Sequence, residues 1–221
     1  MKTTLVLIPV LAGLVFFLVR AEFHKKQRAI YFLKPLSTLT VIAVACLSFL
    51  EPMQNLTYAV GVIVGLLFCF GGDIALMFQE KRKAFMLGLI LFLLGHIAYA
   101  IVFGLLGRFS AWDILSTIVL LITGIGFYRV IKSNLGALRV PVIVYIVVIS
   151  VMVSRALSTF ASPVFTNAQA WLIVSGAILF YISDLILAAA RFWKPWRYHR
   201  ISLAFYYSGQ LLIALAANYF M

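Results

Sequence analysis

The sequence predicts an all-α membrane protein, a bundle of eight spanning helices. Three observations carry that expectation. Of the 221 residues, 65% are hydrophobic and only 11% are charged, with a mean hydropathy of +1.11; no soluble core needs so much apolar surface. Stretches approaching the ~20 apolar residues that cross a bilayer follow one another with short interruptions. The basic residues gather on alternate connections, as they do where every second loop faces the cytoplasm.

Span one, near 3–19, has Lys2 before it and Arg20, Lys25, Lys26, Arg28 and Lys34 after it. A cleaved signal peptide carries its charge ahead of the apolar run, so this pattern favours an uncleaved span that enters with its N-terminus outside. Span two runs near 35–50. Span three, near 58–78, contains Gly61-Val-Ile-Val-Gly65, a small-residue face that lets a neighbouring helix approach closely, and Lys81, Arg82 and Lys83 follow it. Span four, near 85–107, holds Gly95-His96-Ile-Ala-Tyr99-Ala. Span five, near 112–131, leads into Arg129, Lys132 and Arg139, and Pro141 starts or kinks span six, near 138–154. Span seven, near 168–190, precedes Arg191, Lys194, Arg197 and Arg200; span eight is near 200–220.

Of the 18 basic residues, only Lys2, Arg108 and Arg155 fall on the other face. Both termini are therefore expected outside, with 1–221 forming one transmembrane domain. This topology accounts for the net charge of +12, and nucleic acid is not an expected partner. Trp112, Trp171, Trp193, Trp196 and Tyr198 read as interfacial anchors. Cys46 and Cys69 lack metal or redox spacing and read as packing residues. Glu22, Glu51, Glu80 and Asp113 fall in loops or at helix ends, where solvated charge is expected. Short loops and the absence of extra targeting segments point to a bacterial inner membrane.

Two aspartates break the pattern. Asp73 and Asp184 lie inside spans three and seven, each eight residues after a glycine, Gly65 and Gly176. A carboxylate in hydrocarbon costs a few kcal/mol or more, so an intramembrane acid marks a functional site unless it is polar glue between helices. No Lys or Arg is expected mid-span to neutralise either one. The match extends further: a basic loop follows each, then Gly95-His96 in span four and Gly209-Gln210 in span eight. His96 is 23 residues beyond Asp73 and Gln210 is 26 beyond Asp184. Spans one to four are therefore expected to be duplicated, in parallel, as spans five to eight.

The helical rise of about 1.5 Å per residue puts both aspartates ~10–12 Å from the basic face, with Tyr206 and Tyr207 at similar depth and His96 and Gln210 deeper. Tyr206 and Gln210 share one helix face, as do His96 and Tyr99. Spans three, four, seven and eight are thus expected to feed one polar layer. His96 is either part of it or a hydrogen-bonded structural residue. Tyr181, three before Asp184, either donates to that carboxylate or faces lipid. Serine-hydrolase, zinc-protease and nucleotide-binding motifs are missing.

The strings GLLFCFGGDIALMF, LGHIAYAIVFG, ILFYISDLILAAARF and YYSGQLLIAL, in that order, resemble the lysoplasmalogenase (YhhN-like) membrane proteins. Lys34-Pro35-Leu36 adds a short match before span two. The resemblance implies hydrolysis of the vinyl ether of lysoplasmalogen, or a related single-chain ether lipid drawn from the membrane. The products would be a fatty aldehyde and glycerophosphoethanolamine or glycerophosphocholine. Such an ether is cleaved by protonating its β-carbon, after which water captures the oxocarbenium ion. Two acids serve glycosidases in a similar problem, and two neighbouring carboxyls can divide acid and base roles.

Asp73 and Asp184 are the expected catalytic pair, with either as the acid. His96, Tyr206, Tyr207 and Gln210 would position water or glycerol, supported by Tyr99, Tyr181 and Lys34. No metal or other cofactor is needed. The phosphate would sit near Lys81, Arg82, Arg191 or Arg197. The competing readings are a proton-coupled transporter, since buried acids also relay protons, and a lipid-binding protein without turnover.

Overall fold

The computed structural model describes residues 2–49, 55–196 and 198–219, and within them every regular element is helical. The eight α-helices are α1 (Lys2–Phe23), α2 (Gln27–Phe49), α3 (Leu56–Leu76), α4 (Arg82–Leu106), α5 (Ala111–Ile131), α6 (Arg139–Leu157), α7 (Asn167–Phe192) and α8 (Ser202–Leu215). The first seven are long and apolar enough to cross a bilayer, which makes this an integral multi-pass membrane protein. Helix α8 has 14 residues and continues as a 3₁₀ stretch, Ala216–Tyr219. Its α-helical residues rise about 21 Å, and the flanking 3₁₀ turns, His199–Ile201 and Ala216–Tyr219, extend the same segment by about 2 Å per residue. The eighth helix expected from hydropathy, near 200–220, is present, its α-helical part shorter than the other seven.

Helix ends follow local chemistry. The Asn55 side chain accepts the Tyr58 N–H at 3.0 Å and caps α3. Gln169 accepts the Thr166 backbone N–H at 2.8 Å at the start of α7. Pro141 is the third residue of α6, where a missing N–H costs nothing. Pro35, in contrast, lies well inside α2. Proline interrupts one backbone bond there, which membrane helices tolerate, and the helix starts at Gln27 instead of near 35. Lys34 consequently sits on a spanning helix, not in a loop.

Asp113 also departs from expectation. It accepts the Ser110 N–H at 2.7 Å, is 1% exposed and forms an ion pair with Arg155 of α6. A loop charge read as solvated is a buried clasp. The Lys2 side chain, Glu51 and Arg197 lie outside the described residues. Of the aromatic anchors, Trp112, Trp171, Trp193, Trp196 and Tyr198 all face outward; Cys69 is buried and Cys46 exposed.

Consecutive helices pack within each half: α1 on α2, α2 on α3 and α3 on α4; then α5 on α6, α6 on α7 and α7 on α8. The halves meet through α4 on α6 and α2 on α8. These two contacts correspond, each joining the fourth helix of one half to the second of the other. Glycines set the closest approaches. A Cβ on Gly72 would meet Phe92 of α4 at 2.7 Å, and one on Gly61 would meet Val102 at 2.8 Å, so the small-residue face of α3 does admit α4. A Cβ on Gly95 would lie 3.2 Å from the Gly65 carbonyl, and one on Gly209 would lie 2.7 Å from the Gly176 carbonyl. The main apolar core fills the space between α2, α3, α4, α6, α7 and α8.

Candidate functional site

Asp73 is reached from two other helices. Lys34 Nζ of α2 lies 3.4 Å from Oδ1. Thr38, one turn further along α2, donates to Oδ2 at 2.6 Å, and Tyr206 of α8 donates to the same oxygen at 2.8 Å. Tyr207 closes the cluster from behind, donating to the Lys34 carbonyl at 3.1 Å and meeting Thr38 Oγ1 at 3.3 Å. The expectation that no cation approaches the aspartates fails here, because α2 begins early enough to carry Lys34 into the bundle.

Asp184 has sparser company. Tyr145 of α6 donates to Oδ2 at 2.6 Å. His96 Nε2 of α4 stands 3.5 Å from that oxygen, a long approach, and neither ring nitrogen of this fully buried imidazole completes a well-formed hydrogen bond. The two carboxyls also differ in access: the Asp184 side chain is 15% exposed and that of Asp73 2%.

Both carboxyls line one cavity of about 220 Å³. Lys34, Tyr145, Tyr181 and Tyr206 line it as well. Four of the six acidic residues border this space, Glu22 and Glu80 joining the two aspartates. Arg191 and Arg200 stand beside them, and Arg200 Nε is 3.3 Å from Glu22 Oε2. One side of the cavity is therefore charged, and carboxyls lie within it. Among the described residues no group of three His, Cys, Asp or Glu side chains gathers as metal ligands do.

Several expected site residues sit elsewhere. Tyr99 donates to Gln210 Oε1 at 2.6 Å, so these two brace α4 against α8 away from the cavity wall. Helix spacing identifies a shared face but not the neighbour it meets; Tyr206 and Gln210, four apart, serve different partners. Tyr181 neither donates to Asp184 nor faces lipid. It is buried against the cavity, and its hydroxyl has no hydrogen-bond partner among the described residues. His96 and Tyr207 support the two clusters without bordering the cavity. The polar layer draws on α2 and α6 as well as the expected α3, α4, α7 and α8.

Thr38 and Tyr145 escaped sequence reasoning. A signal for Tyr145 existed: the 111-residue interval from Asp73 to Asp184, and from Gly65 to Gly176, also separates Lys34 from Tyr145. The residue facing each aspartate from the helix before it occupies one position of a common frame. In one half it is a lysine and in the other a tyrosine.

The sequence profile of the YhhN family matches residues 29–217. The chain belongs to the YhhN family. The matched stretch holds every residue of both aspartate clusters, and the likeness read from the motifs is borne out. This YhhN-family chain is 31% identical over 165 residues to the lysoplasmalogenase TMEM86A of Bos taurus, which covers 72% of this chain and 65% of that protein. To the lysoplasmalogenase TMEM86A of Homo sapiens it is 31% identical over 164 residues, with the same shares. The chain thus spans just under two thirds of the length of these curated relatives. No solved structure matches it.

Proposed function

We propose that this YhhN-family chain hydrolyses the vinyl ether bond of lysoplasmalogen, or of a related single-chain ether lipid, inside the membrane. The observation that carries this reading is the pairing of two unlike carboxyls on one cavity. Asp73 faces an ammonium and accepts two hydroxyls; it serves as the standing carboxylate that stabilises positive charge. Asp184, more accessible and held by Tyr145, serves as the acid. Its proton passes to the β-carbon of the vinyl ether, and the π pair forms the new C–H bond. The ether oxygen shares its lone pair with the neighbouring carbon, giving an oxocarbenium ion. Water adds to that carbon and returns a proton to the Asp184 carboxylate. The hemiacetal then breaks its bond to the glycerol oxygen: the hydroxyl gives up its proton as its electrons form the aldehyde carbonyl, and the leaving oxygen takes up a proton, releasing a fatty aldehyde and the glycerophospho-alcohol. Positioned proton transfer of this kind contributes about 10²–10⁴-fold, and a carboxylate near the developing cation adds electrostatic stabilisation. The relatives named as lysoplasmalogenases support the substrate class.

We further infer that the chain is a parallel duplication forming one transmembrane domain, with its basic loops cytoplasmic in a bacterial inner membrane. The shared 111-residue interval, the corresponding glycine crossings and the reciprocal α4–α6 and α2–α8 contacts support the duplication. The charge pattern supports the orientation. Cysteines placed at Lys83 and Arg108 test it: an impermeant thiol reagent added outside intact cells should label only the second.

The function is tested with purified protein and lysoplasmalogen in detergent. Aldehyde release is expected from the native chain and is expected to fall at least about 10²-fold in both Asp73→Asn and Asp184→Asn. Undiminished release in either variant removes that residue from the reaction. No release from well-folded native protein, with proton-coupled uptake in vesicles instead, would replace the hydrolase reading by transport.

A further inference from the structure

Helix α5 is sparsely buried. Only Asp113, Gly124 and Ile131 along its length are buried. One end is clasped to α6 by the Asp113–Arg155 ion pair and by Thr117, whose hydroxyl meets that of Ser154 at 3.2 Å. At the other end Ile131 joins a small apolar cluster with Phe85, Leu135, Val142 and Phe192. Between these two fastenings, beside the close approach of Gly124 and Ile146, lies a groove of about 380 Å³ lined mainly by apolar side chains such as Leu120, Leu121, Val147 and Val151. Gly124 and Ile146 border both this groove and the aspartate cavity. The two spaces therefore adjoin one residue from Tyr145, which holds Asp184.

We propose that the α5–α6 groove seats the hydrocarbon chain of the single-chain lipid whose polar part occupies the aspartate cavity; this rests on the hydrolase reading above. The order of polarity matches such a molecule. Arg191, Arg200, Glu22 and Glu80 line the cavity and suit a charged head, the carboxyls follow, and the apolar groove begins at Gly124. From Thr117 to Tyr128 the groove follows about 16 Å of α5, room for one extended chain. Gly124 sets the passage: a Cβ there would already meet Ile146 Cγ2 at 2.9 Å, so any larger side chain fills the junction.

The test uses a lysophospholipid with a saturated 1-O-alkyl chain, which cannot be hydrolysed by this route, carrying a diazirine at the chain terminus. After irradiation with purified native protein, mass spectrometry should find the label on α5 and α6 within 117–128 and 143–155, and excess unlabelled lysolipid should suppress it. Gly124→Leu should lower this competable label at least about tenfold, since several methylene groups lose their seat. Competable label on other faces, such as Phe16 and Phe17 of α1 (both exposed), overturns the proposal. So does α5–α6 label that competitor leaves unchanged. The assay needs no turnover: competable α5–α6 label from a protein that releases no aldehyde would uphold the tail seat while ending the hydrolase reading.

Discussion

The two aspartate clusters sit in the same frame and differ in their surroundings. Asp73 is saturated: an ammonium, a threonine hydroxyl and a tyrosine hydroxyl all point at it, and its side chain is 2% exposed. Asp184 accepts one hydrogen bond among the described residues, from Tyr145, beside an imidazole whose nitrogens are unsatisfied, and it opens more to the cavity. The exchange of Lys34 against Tyr145 contributes to the contrast, and the Thr38 and Tyr206 hydroxyls add to it. Lysine supplies charge that holds a carboxylate in place, whereas tyrosine only orients one. A shared frame thereby holds two acids in one apolar bundle without giving them one environment.

The largest expected effect breaks the saturated cluster. Asp73→Asn leaves the Lys34 ammonium buried without its counter-charge, and losing one partner of a buried pair costs about 3–5 kcal/mol. The midpoint of unfolding in a mixed-micelle titration should drop accordingly. Adding Lys34→Met should restore most of the loss, because a buried pair replaced by apolar groups is often neutral. Aldehyde release should stay absent in the double variant. Recovery of release there would make Asp73 a structural counter-ion only, and the division of labour would fail.

How far this contrast could be read beforehand follows from what each signal measures. Hydropathy and the alternation of basic loops report on the bilayer, which acts on every residue alike, so all eight helices were legible. Both acids were too, since charge in hydrocarbon stands out. Hydropathy misplaced the start of α2 because Arg28, Lys34 and Pro35 look like a boundary while the backbone continues through them. Partnerships were less legible. His96, Tyr99, Tyr206 and Gln210 were found as polar residues on shared faces, yet Tyr99 and Gln210 bond each other, because rotation about the helix axes decides which face meets which. Asp113 lies at a helix end and finds Arg155 42 residues later, a distance no local pattern spans. Tyr145 lies in a span with no acid and becomes visible only through the interval it shares with Lys34.

The glycine crossings give a smaller effect and probe whether the halves are equally tight. Alanine at Gly209 would press its Cβ to 2.7 Å from the Gly176 carbonyl, with the Phe180 nitrogen at 3.0 Å. Backbone cannot turn aside, so α7 and α8 must separate, at a cost in the range of about 1–3 kcal/mol for overpacking. At Gly95 the nearest obstacle is the Cys69 sulfur at 2.8 Å, a side chain, and the Gly65 carbonyl is further off at 3.2 Å. Gly95→Ala should therefore destabilise less than Gly209→Ala in the same titration. Equal losses would mean that the sulfur is held as rigidly as backbone.

The smallest effect is the most discriminating, since it removes one oxygen atom from each cluster in turn. Tyr206→Phe deletes one of three donors to Asp73; Thr38 and Lys34 remain on the carboxylate and hold it in position. Tyr145→Phe deletes the hydroxyl that orients Asp184 and leaves only His96, 3.5 Å away. A hydrogen bond contributes about 1 kcal/mol net, and about 1.4 kcal/mol in a barrier is tenfold in rate. Aldehyde release should thus fall by roughly five- to tenfold in Tyr145→Phe if orienting the acid matters to the transition state. In Tyr206→Phe it should stay within about threefold, because the lost bond is one of several that share the load. Unfolding midpoints separate packing from chemistry: both variants should shift similarly there, as each loses one buried hydroxyl contact. If Tyr206→Phe proved the slower enzyme, the proton would have to be assigned to the Asp73 cluster, and the ammonium of Lys34 would become the feature in need of a catalytic explanation.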